Sequence, residues 1–271
     1  MPRVNTPYGP VHVEDTGAGD VLLLLPANPG THRDFDAIVP ELSRRYRVVA
    51  VDWPGFGDSP APEPPEAASA MHFARVARGV VEALDLKRLR VIGNSVGGYA
   101  AVRLALECPD RVEALLLVDS GGFTEPTALA RAFCWLKGRE WITRLVATRF
   151  AEHYLRVKND SAREVLGRTE LGRKNPRSVA VDAAVWRSFA DPAHDLREDA
   201  KRIRVPTLIA WGRQDPVVPL ATDGATAHRT IPGAELAVFD TGHMPFVEAP
   251  GEFLKIALDF LSRSSRAVNA A

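Results

Sequence analysis

Residues 88–106 read RLRVIGNSVGGYAAVRLAL, and the reading of this stretch decides the fold. A short apolar run with β-branched Val91 and Ile92 ends in Gly93-Asn94-Ser95-Val96-Gly97-Gly98, after which the pattern becomes helical. Three glycines around one serine mark a turn too tight for side chains on its flanks. G-x-S-x-G between a strand and a helix is an elbow that holds its serine in a strained backbone, with the hydroxyl exposed above a sheet. A Cβ at position 93 or 97 is expected to strike neighbouring backbone, and Gly98 to let the new helix lie close to the sheet. That helix aims its free N–H groups and positive dipole end at the space beside Ser95.

Outward from the elbow, short apolar runs recur at 21–25, 48–51, 89–92, 114–118, 207–210 and 236–239. Nearly every residue in them is apolar, the mark of strands buried on both faces of a parallel sheet. Helices are predicted over 40–45, 68–84, from Ser95 onward and over 252–262. The alternation predicts an α/β fold with a doubly wound, mostly parallel sheet. Residues 4–14 read as an antiparallel hairpin at its edge.

The alternation breaks once. Between Val118 and Thr207 no strand is evident, and the segment contains LARAFCWLKGREWITRLVATRFAEHYLRV, which is helix-rich and aromatic. It is too long for a loop and predicts an inserted helical subdomain over 122–200, with the core formed by 1–121 and 201–271. Residues 121–200 hold 14 Lys and Arg against 11 Asp and Glu, read mostly as a solvated helical surface. PAPEPPEA at 60–67 reads as an extended connection without a chemical role.

Composition narrows the partners. The chain carries 34 basic and 34 acidic residues, so whole-chain charge makes no case for nucleic acid or an anionic membrane. Cys108 and Cys134 make no disulfide framework and have no neighbours at metal-ligand spacing. The start, MPRVNT, lacks the apolar stretch of a signal peptide. The longest aliphatic run, Val21–Leu25, is too short for a membrane span. The expectation is a cytosolic protein with a small-molecule substrate.

A serine becomes a nucleophile through a base that a third group orients. After this kind of elbow the order is serine, acid, histidine. TLIAWGRQDPVVP sets Asp215 just beyond a strand, and LAVFDTGHMPFVEAP sets His243 beyond the next. Both fall on the carboxyl edge, where open α/β sheets place their sites. Asp119, ending the strand before them, competes as the acid, and Asp215 is preferred on its motif. His12, His32, His72, His153, His194 and His228 lack this context and read as surface or packing residues.

Together these pieces resemble the α/β-hydrolase superfamily over nearly the whole chain. VDWPGFGDSP is similar to the family's strand-4 loop, with Asp52, Gly55, Gly57 and Ser59 in a structural turn. GNSVGG resembles the elbow of meta-cleavage-product hydrolases and related esterases. WGRQDPVVP resembles the acid loop and GHMPFVEAP the histidine loop, where Glu248 is structural. The resemblance implies a helical lid over 122–200 that walls the pocket and adds nothing to the triad. It implies catalysis by Ser95, His243 and Asp215, with an oxyanion hole of the Asn28 and Val96 N–H groups and no cofactor or metal. One departure stands out: Pro26-Ala27 replaces the family's His-Gly, and Asn28 is aligned through Pro29-Gly30. The side chains of Asn28, His32 and Arg33 read as loop-stabilising or surface groups. The implied substrate is an ester with an apolar portion, since the insertion is rich in Phe123, Phe133, Trp135, Leu136, Trp141, Leu145, Phe150, Trp186 and Phe189, most of them read as lid core. Carbon–carbon bond hydrolysis, perhydrolase or haloperoxidase chemistry, and a ligand-binding receptor stand as alternatives.

Overall fold

The apolar runs become strands because neither face of the sheet they form meets water. Leu22, Leu24, Val48, Ala50 and Ile92 join one buried cluster, while Leu23, Leu25, Val49, Val51 and Val91 join the other. Neighbours in sequence thus alternate between two cores, as a period of two requires. The computed structural model describes residues 3–269; Met1, Pro2, Ala270 and Ala271, the outer ends of the two predicted core segments, lie outside them.

Eight strands form one sheet in the order β1-β2-β4-β3-β5-β6-β7-β8. They are β1 (Arg3–Thr6), β2 (Gly9–Thr16), β3 (Val21–Leu25), β4 (Arg47–Val51), β5 (Leu89–Asn94), β6 (Val112–Val118), β7 (Thr207–Gly212) and β8 (Glu235–Phe239). The β1–β2 hairpin pairs antiparallel with the rest, and β3 to β8 are parallel. The helices outside the insertion are α1 (Val39–Leu42), α2 (Ala70–Ala83), α3 (Val96–Glu107), α8 (Ala225–Thr230), α9 (Pro245–Glu248) and α10 (Pro250–Asn269). Phe73, Val76 and Val80 of α2 and Tyr99 and Val102 of α3 cover one face. Leu42 of α1, Phe246 of α9, and Phe253, Ala257 and Phe260 of α10 cover the other. The sheet is doubly wound, as predicted. No helix among the described residues is long and apolar enough to cross a membrane.

Between β6 and β7 lie α4 (Ala128–Lys137), α5 (Glu140–Tyr154), α6 (Asp160–Gly172) and α7 (Pro176–Ser188). Three start on side-chain caps from Thr127, Asn159 and Asn175, which satisfy free N–H groups of their first turns. The expectation of a lid core fails for much of the apolar content. Phe133, Trp135, Leu136, Trp141 and Leu145 are exposed, because α4 and α5 turn only one side toward the rest of the protein. The proline-rich connection is a seat for this insertion: Glu63 pairs with Arg177 of α7 at 2.8 Å.

Candidate active site

The chain turns from β5 into α3 at Ser95, which adopts φ 55° and ψ −115°. A non-glycine residue with positive φ is costly and persists only where the surroundings impose it. Here the surroundings are close backbone: a Cβ on Gly93 would overlap the Gly97 carbonyl, and one on Gly97 the Leu25 carbonyl. Ser95 N–H is tied to Val118 O at 3.0 Å, and its hydroxyl makes no capping bond to α3. Asn94 is fully buried and donates to Val118 O (3.0 Å) and His243 O (3.1 Å), fastening the elbow to the histidine loop.

The two loops after β7 and β8 converge. His243 Nδ1 and Asp215 Oδ2 are 2.6 Å apart, both residues almost completely buried. The other oxygen of Asp215 accepts from the N–H groups of Val217 (2.7 Å) and Val218 (3.3 Å). Those bonds fix the position of the Asp215 side chain. Asp119 lies in the same cluster, with an oxygen within 4.8 Å of ligating atoms of Asp215 and His243. It accepts from Gly212 N–H at 2.9 Å. Burial first, and the Asp215 charge next, push the Asp119 carboxyl well above the usual range. Thus the imidazole bond goes to Asp215, and Asp119 stands behind it. Glu248 bonds four backbone N–H groups, those of Gly242 (3.0 Å), Met244 (3.2 Å), Arg156 (2.7 Å) and Val157 (2.8 Å). It is a structural clamp, as the sequence implied.

Asn28, Ser95 and Val96 line one cavity of about 520 Å³, together with residues 216–219 of the acid loop and side chains of the insertion. Where His-Gly is missing, Trp53 Nε1 donates to Pro26 O at 2.8 Å and fixes the loop's path. The Asn28 amide donates to the Asp182 carboxylate on α7 at 2.9 Å.

The profile of the alpha/beta hydrolase fold family matches residues 20–250. The chain belongs to this family. Among curated relatives, the 2-hydroxy-6-oxononadienedioate/2-hydroxy-6-oxononatrienedioate hydrolase of Burkholderia vietnamiensis is 31% identical, over 93% of this chain and 91% of its own. Among solved structures, Est816, described as an N-acyl homoserine lactone degrading enzyme, is 26% identical with a TM-score of 0.79, covering 96% of this chain and all of that one. An esterase from Exiguobacterium antarcticum, 23% identical with a TM-score of 0.83, covers 96% of this chain and 98% of its own, and shares the fold. The protein is an α/β-hydrolase enzyme.

Several residues of this α/β-hydrolase escaped the sequence reading. Asp182 and Lys137, counted among solvated charges, are both buried. The Lys137 ammonium lies 5.3 and 5.2 Å from the ring centres of Phe150 and Trp186, and its charge and the Asn28 bond offset part of the cost of burying Asp182. His194, read as a packing residue, lines the Ser95 cavity beside Tyr99 and Phe189. Burial pushes its imidazole below the usual range. His12 and His32 both bond Asp52, at 2.9 and 2.7 Å, which also accepts the His32 and Asp58 N–H groups. The strand-4 turn is therefore a hub joining β2, β4 and the loop after β3. The helical spacing of the insertion gave no signal for which charges would be covered. The pairing of Asp182 with Asn28 spans most of the chain.

The insertion also touches the loop that carries His243. Tyr154, at the end of α5, accepts the His243 N–H at 3.0 Å, and its ring packs edge-on to the imidazole with centroids 5.4 Å apart.

Proposed function

We propose that this α/β-hydrolase is a serine esterase for neutral esters with an apolar portion. Ser95 Oγ attacks the carbonyl carbon while His243 takes its proton, and Asp215 holds the imidazole by its Nδ1. The N–H groups of Asn28 and Val96 receive the oxyanion. His243 then protonates the leaving alcohol and activates water against the acyl-enzyme. Residues 122–200 serve as a lid over a core of 1–121 and 201–271, and no cofactor enters this scheme. The cytosolic location belongs to the same reading, with both cysteines free.

The observation that carries the substrate class is the cavity lining. Leu129, Ala130, Phe133, Val185, Trp186, Phe189, Val217 and Val218 supply apolar wall, and the charged members are Glu125, Asp191 and Asp195 against Arg131. Three acids to one base is a poor setting for a multiply anionic substrate. A second reading, carbon–carbon hydrolysis of a vinylogous diketone, is supported by the 31% identical relative and by buried Asn94 before the serine. A panel of nitrophenyl esters of graded acyl length plus one meta-cleavage product tests the choice. The expected result is turnover of the esters with a graded optimum in chain length. Faster turnover of the diketone than of any ester overturns the ester reading.

A further inference from the structure

The consecutive helices α4 and α5 expose apolar side chains to an unusual degree. Leu129, Trp141 and Leu145 are 81%, 68% and 71% exposed, and Phe133, Trp135 and Leu136 about half. Exposed apolar side chains are ordinary singly, but a run of six on two consecutive helices marks an interaction surface. The run also reaches the chemistry, for Leu129 and Phe133 line the Ser95 cavity. Four exposed arginines are interspersed: Arg131, Arg139, Arg144 and Arg149, with Glu140 the one acid within 128–149. None of the four makes an ion pair among the described residues. Arg131 donates to the Ala190 carbonyl, and the Arg139 guanidinium lies 3.9 Å over the Trp135 ring. On α5 the spacing of Trp141, Arg144, Leu145 and Arg149 puts cations and apolar groups on a single stripe.

We propose that this face docks on an anionic lipid surface and turns the mouth of the Ser95 cavity toward the bilayer. Tryptophan and leucine suit the headgroup boundary, and arginine forks suit lipid phosphates. Stable peripheral binding needs both an apolar and an electrostatic signal, and this face supplies both. Charge decides against a second copy as the occupant. A two-fold contact sets α4 and α5 against themselves, arginines toward arginines, with Glu140 the one acid of 128–149 to answer them. The zero net charge of the chain conceals this local excess. Esters that partition into lipid would then enter the cavity from the membrane side. The inference goes beyond the ester reading and does not depend on it, because docking is read without turnover.

The test is co-sedimentation of the full chain with phosphatidylglycerol or phosphatidylcholine vesicles. Binding is expected to phosphatidylglycerol, weakened by salt. Trp141→Ser with Leu145→Ser, and separately Arg139→Glu with Arg144→Glu, should each reduce the partition coefficient at least about tenfold. Circular dichroism and hydrolysis of a short soluble ester should be unchanged in both. Absence of vesicle binding, or equal binding to both lipids that the variants leave intact, overturns the proposal. So does a concentration-dependent dimer that Trp141→Ser with Leu145→Ser abolishes, which assigns the face to a second copy.

Discussion

At the carboxyl edge of the sheet, Asp119, Asp215, His243 and Glu248 are polar and almost wholly buried; on α4 and α5, Trp135, Trp141 and Leu145 are apolar and exposed. Each region inverts the usual distribution, for different reasons. At the edge, burial of Asp215 and Glu248 is tolerated because loop N–H groups and the His243 imidazole bond their oxygens. On the insertion, apolar surface stays in water because two helices packed from one side leave the other open. The edge is built for a fixed geometry and the insertion for contact with something else. Yet the division is incomplete, because Tyr154 and Asp182 of the insertion grip the His243 and Asn28 loops.

The sharpest test of this division removes the proposed chemistry from the edge. Ser95→Ala should keep the fold and lower kcat by up to about 10⁶, His243→Ala by a similar factor, and the double variant by little more. Losses that add in the double variant would show that the two residues do not act as a unit. Next comes the acid. Asp215→Asn should reduce kcat by about 10⁴ through misorientation of the imidazole. Asp119→Asn should lose less than about tenfold, because Asp119 is already biased to its neutral form by burial and by Asp215. If Asp119→Asn is the more damaging of the two, the acid is misassigned.

A third change breaks the comparison from the other side. Replacing 124–198 with a Gly-Ser linker removes the Tyr154 and Asp182 contacts together. With the core folded by circular dichroism, kcat toward a small activated ester should fall by about 10², since slight misplacement of reacting groups is that costly. Unchanged kcat would mean that the insertion governs selectivity alone. A smaller effect is expected for Asp182→Ala, a loss of about tenfold falling mainly on kcat, with Asp182→Asn recovering most of it by accepting the same Asn28 bond. An effect confined to KM would place Asp182 in binding instead.

The smallest expected effect lies away from the chemistry. The bond to Asp52 raises the His32 pKa above its usual value, against the pull of burial. A raised histidine pKa gives stability that is full below the unfolded value, about 6.5, and lost as pH rises through the folded value. Asp52 has its own pKa lowered, so its contribution is present above about 3.9 and lost as pH falls through the folded value. The Tm deficit of His32→Gln should therefore be largest near pH 5.5 and shrink toward pH 9. A deficit that does not vary over that range would show that His32 acts by packing alone.

The fold and the loops that carry Ser95, Asp215 and His243 were legible because their signals are local. Val91, Ile92 and the glycines around Ser95 state a strand and a turn within ten residues, and Asp215 and His243 each follow an apolar run directly. All six runs became strands, and the loops met where a parallel sheet must bring them. His194 and His12 were not legible, since a lone histidine on a loop or strand carries no mark of what will surround it. Helical periodicity in 128–154 shows which residues share a face and not which face turns inward, so it does not mark Trp135 and Trp141 as exposed or Lys137 as buried. The sequence by itself determined the sheet, the elbow and the three residues proposed for catalysis, because backbone propensity and turn sterics act over a few residues. Only the tertiary structure decided that Asp182 would hold Asn28, that Asp52 would join His12 to His32, and that the apolar face of the insertion would lie open. Those outcomes depend on which distant surfaces come to exclude water from one another.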